Sequence, residues 1–259
     1  MTFTMAEITA WIGSFLWPFF RIGAMLMVAP VTSANYVPVR ARLIIALAIT
    51  LVIVPTLPEP PMATPFSWDG MAIIMQQLLI GIAMGFVLML VFAAVVTGGQ
   101  LIAMQMGLGF ASMVDPQNGA QVPVLSQIFV VMTTLLFLVM DGHLILIAMV
   151  AESFRLLPIG PVGLDRDAFF AIANWGTQMF AASLWLALPA IVALLLVNIS
   201  FGIMARAAPQ LNIFAIGFPV AIMMGFVVIY FTLPNVVPQF AFVLEQGFAL
   251  INILLGGAN

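Results

Sequence analysis

GGQLIAMQMGLGFASMVDPQNG, residues 98–119, lies between two long apolar runs. It is too polar and glycine-rich for a lipid-facing span, and too apolar for a water-exposed loop. Small residues recur at Gly99, Ala103, Gly107 and Ala111, a spacing that predicts one stripe along a helix. Met106, Phe110 and Met113 form a neighbouring stripe at i, i+4, i+7. Methionine is flexible and polarizable, so such a stripe can seal against changing shapes. Asp115-Pro116 is expected to end the helix, and Asn118-Gly119 to turn the chain. The plain reading of a Met/Phe stripe is packing. With Gly107, Gly109, Gln100 and Gln105 around it, the stretch is also a candidate for a movable element lining a closed pore, because glycines make a helix cheap to unwind.

The surrounding composition sets the class. Of 259 residues, 64% are hydrophobic and only 6% charged, against roughly a quarter charged in an ordinary globular domain. All six basic residues are arginines. So few charges cannot cover the surface of a soluble domain, and the chain reads as an all-α integral membrane protein. Helices are expected because lipid-exposed backbone must satisfy its own hydrogen bonds, and no dyad alternation suggests a barrel. The N-terminus has no basic residue before Arg21, so a cleaved secretory signal is not expected. Cysteine is absent, which removes disulfides and thiol chemistry. A net charge of −3 without any basic run argues against nucleic acid.

Seven apolar runs are visible, at about 8–30, 43–57, 71–97, 124–150, 168–200, 211–233 and 236–256. The second is short, about 22 Å of helix, against the roughly 20 residues that span a bilayer. Three connectors separate runs: the proline-rich TLPEPPMATPFSWDG, the charged ESFRLLPIGPVGLDRD, and RAAPQLN around Pro209, expected to turn a hairpin. Pro18, Pro189 and Pro219 lie inside runs and predict kinks. No repeat and no soluble domain interrupts what reads as a single membrane module, residues 1–259.

Four polar residues within or beside the apolar runs are candidates for structural or functional roles: Arg21, Asp141, His143 and Arg206. An arginine at depth costs about 2.5–3.5 kcal/mol on insertion scales. Arg21 therefore reads as a structural ion pair or an interface-reaching arginine, or else as facing a partner subunit or a wet cavity. Asp141 and His143 in LVMDGHLIL could relay protons, but Gly142 between them favours a helix break. Gly81 and Gly85 in GIAMG offer a second small-residue packing pair. No catalytic motif, metal-ligand set or cofactor signature accompanies these residues, so enzymatic activity is not expected.

Several segments carry a family resemblance: WPFFRIGAMLMVAP, VPVRARLIIALAITLVIVP, QQLLIGIAMGF, QMGLGFASMVDPQNG, GHL at 142–144, LPAIVALLLVNISFGIMARAAPQLNIF and IGFP at 216–219. In order, spacing and coverage the chain resembles the FliR/SctT family of type III secretion export-gate proteins. The resemblance implies kinked helical hairpins forming part of a multi-subunit helical assembly with FliP-like and FliQ-like subunits, and contact with FlhB-like and FlhA-like export components. It also implies a bacterial inner-membrane location in the flagellar basal body, with membrane lipids and unfolded exported proteins as further contacts. About 1–165 would be FliP-like and about 168–256 would carry a FliQ-like hairpin. The family's pore plug would map onto about 106–118, with Met106, Gly107, Gly109, Phe110 and Met113 as its gasket. The wording FASMVDPQNG and the length lean flagellar over virulence-type. A secondary transporter of small solutes is the competing reading, since broken helices and buried ionisable groups occur there too.

Overall fold

A computed structural model of the protein describes residues 5–33, 37–58, 61, 63–64, 67–108, 124–207 and 213–256. Among the described residues the regular elements are all helical: α1 (Met5–Val28), α2 (Pro30–Ser33), α3 (Val39–Ile53) with a 3-10 turn (Val54–Thr56), α4 (Trp68–Gln105), α5 (Val124–Val139), α6 (Gly142–Leu156), α7 (Arg166–Ala207) and α8 (Ile213–Leu254). Five helices are long and apolar enough to cross a membrane, and the bent pair α5–α6 makes up to six. The protein is an all-α, multi-pass membrane protein.

Helix starts follow local chemistry. Ser67 Oγ accepts a hydrogen bond from the Gly70 N–H at 3.0 Å, capping α4, and Asp165 Oδ1 accepts one from the Ala168 N–H at 2.8 Å, capping α7. The runs expected at 211–233 and 236–256 are one helix. α8 continues through Pro219, Pro234 and Pro238, since in an apolar environment the cost of breaking a helix exceeds that of losing single backbone bonds. The run expected at 124–150 is conversely two helices, bent by 65°. The break falls at Asp141, whose φ of 56° is left-handed, a conformation that Asp tolerates better than most residues. Gly142 serves a different purpose: a Cβ there would collide with the Phe137 ring.

The chain forms two compact units, one of residues 1–90, 137–175 and 245–259, the other of 91–136 and 176–244. α4, α7 and α8 each contribute to both units. In the first unit α1 packs on α3 and closely on α4. A Cβ at Gly81 would strike the Arg21 carbonyl, and one at Gly85 would lie 2.8 Å from the Met25 carbonyl oxygen. Trp17, Ile22, Met25, Ile80, Met84 and Leu88 fill the resulting core. In the second unit α4 meets α8 through the perpendicular rings of Phe92 and Phe240, 5.9 Å apart. Gly98 faces Leu186 of α7 and Gly99 faces Phe129 of α5.

α4 is the most buried of the three longest helices, with 61% of its apolar window inside the protein, against 22% for α7 and 11% for α8. With 42 residues each, α7 and α8 are about 63 Å long at helical rise, twice the roughly 30 Å hydrocarbon core. Substituting Gly85 by Val should cost on the order of 1–3 kcal/mol through overpacking. A lowered midpoint in detergent thermal melts, with Gly23→Val as an unhindered comparison, is the expected result.

Candidate functional site

The glycine- and methionine-rich stretch is built on the C-terminal end of α4. The helix stops at Gln105, ten residues before the expected stop at Asp115. The Gly107 N–H donates to the Met104 carbonyl and the Leu108 N–H to the Ala103 carbonyl, both at 3.0 Å, while Gly107 adopts φ 80°. This is a Schellman cap, in which a left-handed glycine satisfies the last carbonyls and redirects the chain. The small-residue stripe is thereby corrected: Gly99 and Ala103 lie on the helix, whereas Gly107 terminates it. Gly109, Phe110, Ala111 and Met113 fall outside the described residues.

Met106 is also placed differently from a pore-facing gasket residue. Its side chain is 0% exposed and fills a notch at Gly225 of α8, where any Cβ would overlap it. The side chain at the root of the stretch is thus an anchor. Beside it, Met104, Gln105, Gly107, Asn198, Phe201 and Phe218 line a cavity of about 430 Å³. Gly225 escapes sequence reasoning because its partner lies more than a hundred residues away.

Arg21 organises the other unit. It is 0% exposed, and four oxygens of this chain receive its protons. Its Nε donates to Gln77 Oε1 at 2.9 Å, and one terminal nitrogen to the Ser153 carbonyl at 2.8 Å and Ser153 Oγ at 3.0 Å. The other terminal nitrogen donates to the Leu157 carbonyl at 2.9 Å. The guanidinium also lies 4.3 Å from the centre of the Phe154 ring. All four of these acceptors are uncharged oxygens. The cation caps the C-terminal end of α6, where unpaired carbonyls and the helix dipole supply negative potential. Arg155 and Glu152 form an ion pair on the surface at 3.4 Å.

The remaining polar candidates separate. Asp141 and Arg206 are exposed rather than buried, Arg206 in the last turn of α7. His143 is half-buried with its Nδ1 enclosed and unpartnered. Among the described residues no group of three or more His, Cys, Asp or Glu could hold a metal ion.

Residues 12–247 match the family described as bacterial export proteins, family 1. The chain belongs to that family. It is 40% identical over 235 residues to the flagellar biosynthetic protein FliR of Escherichia coli K12, covering 91% of this chain and 90% of the relative. The FliR of Pectobacterium carotovorum is 39% identical over 242 residues, 93% of this chain and 92% of its own length. That of Bacillus subtilis is 30% identical over 220 residues, covering 83% and 84%. The match to bacterial export proteins, family 1, includes Arg21, Gln77, Ser153, Met106 and Gly225 alike.

Three variants test these assignments. Arg21→Met should orphan several buried acceptors, at about 1–3 kcal/mol each, and Arg21→Lys should restore little because an ammonium lacks the planar fork. Thermal melts of both in detergent would show it, and wild-type behaviour of the lysine variant would refute the cap. Gly225→Leu should expel Met106, increasing labelling of a cysteine placed at Met106 in the same background.

Proposed function

We propose that this chain is a subunit of the flagellar type III secretion export gate, assembled in the bacterial inner membrane with FliP-like and FliQ-like subunits. The observation that carries this reading is the match to an export family over 12–247, with relatives named flagellar biosynthetic protein FliR along nearly the whole chain. The same names favour a flagellar over a virulence-type system. The long helices support it on physical grounds. α7 and α8 carry exposed apolar side chains from Phe169 and Phe170 to Ile203, and from Ile216 to Ile253. Helices of that length outreach the hydrocarbon core, so part of their apolar surface needs protein cover, which companion subunits would provide.

In this reading the end of α4 is the fixed base of the pore plug. The Schellman cap and the buried Met106 hold the point from which 109–118 departs. Phe110 and Met113 then supply a pliable apolar seal that excludes ions when closed and reshapes around an unfolded exported chain. FlhB-like and FlhA-like components would deliver that chain. The subunit binds, seals and yields; it carries out no covalent chemistry.

Co-expression with FliP-like and FliQ-like proteins of the same genome, followed by native mass spectrometry, is the primary test. A complex with one copy of this chain and several of each partner is expected, whereas a stable monomer that ignores both would overturn the assignment. In the assembled complex Phe110→Ala with Met113→Ala, or deletion of 109–111, should raise small-ion conductance in planar bilayers. Unchanged conductance would remove the sealing role from these residues.

A further inference from the structure

The cavity of about 430 Å³ beside Met106 lies within the second unit, between the end of α4 and facing parts of α7 and α8. It is an open groove, and its walls present polar as well as apolar atoms. Gln105 stands on the α4 side and Asn198 on the α7 side. Asn198 is exposed and interrupts an otherwise apolar stretch, ALLLVNISFGIM at 193–204. Ser200, two residues on, returns its hydroxyl to the Leu196 carbonyl at 2.8 Å. Neither Asn198 nor Gln105 has a hydrogen-bond partner among the described residues. Phe201, Phe218 and the largely exposed Met104 complete the walls. None of the described lining residues is charged.

We propose that this groove receives an extended stretch of exported polypeptide, whose backbone N–H and C=O groups pair with Gln105 and Asn198. Hydrogen bonding separates the possible occupants. An acyl chain has nothing to offer an amide, and covering one with hydrocarbon leaves its desolvation uncompensated. A companion helix has already spent its backbone groups on its own i→i−4 ladder. An unfolded chain carries a free donor and acceptor at every non-proline residue. A side-chain amide, with one carbonyl and two N–H bonds, answers both.

Such pairing is blind to sequence, as a channel passing many different proteins requires. The methionine and phenylalanine walls adapt to side chains of varied shape, and an uncharged lining neither selects nor repels by charge. The groove holds about three times the roughly 150 Å³ that accommodates a benzene ring, so more than one side chain fits. Until a chain arrives, water satisfies the two amides. The assignment rests on the export reading above and adds to it one contact of the moving chain, beside the Gly107 cap.

Gly202 also lines the groove, and a Cβ there meets nothing within 4 Å, so a probe fits without a clash. The test uses cells that assemble the whole gate, with p-benzoylphenylalanine replacing Gly202. An export substrate fused to a folded domain is stalled in transit. Illumination should crosslink the stalled substrate about tenfold more than the same probe at Val52, which is exposed on α3 of the first unit. Gly202→Trp fills the groove, and Asn198→Leu with Gln105→Leu removes both amides at similar size. Each should lower secretion about tenfold while native mass spectrometry shows the gate assembled. If Gly202→Trp does not assemble, the double leucine variant carries the test. Crosslinks to a companion subunit, within this chain, or no higher than at Val52 would overturn the occupant. So would wild-type secretion by an assembled variant. Normal secretion by cells lacking this chain would instead overturn the export reading, and the groove assignment with it.

Discussion

A guanidinium buried among apolar helices needs its protons answered, and here four uncharged oxygens supply the answer. That demand links three helices of the first unit. Arg21 on α1 reaches Gln77 on α4 and the terminal carbonyls of α6, so the end of α6 must arrive beside the middle of α1. Gly81 and Gly85 let α4 come close enough for Gln77 to be in range. The cation thereby replaces the water that would satisfy the last carbonyls of α6 in a soluble protein. The 65° break between α5 and α6 reorients α6 relative to α5.

A second constraint operates on α4. Where the helix ends, its last carbonyls need partners. The Schellman arrangement at Gly107 supplies them, and Met106 fixes the cap against α8 through the notch at Gly225. A segment leaving such a cap starts from a rigid point.

The outer helices differ in kind from α4. α7 and α8 bury little within the chain, and their exposed aromatic and aliphatic side chains continue beyond what a bilayer alone can cover. In the proposed export gate, companion subunits would cover that remaining apolar surface.

The class of the protein was legible in composition, and most helix positions in the apolar runs, because in lipid an apolar segment has few alternatives to a helix. The close contacts of Gly81, Gly85 and Gly99 follow from small-residue spacing, since those pairings depend on one face of one helix. What the residues on one segment could not reveal was what each meets across the fold. The early stop of α4, the burial of Met106 and the notch at Gly225 depend on α8 arriving beside α4. Left-handed backbone at Asp141, not Gly142, depends on where the Phe137 ring sits. The partners of Arg21 lie more than fifty and more than a hundred residues away, and no local pattern encodes them. Polarity and spacing act locally and can be read along the chain; the satisfaction of a buried charge is decided only where distant helices meet.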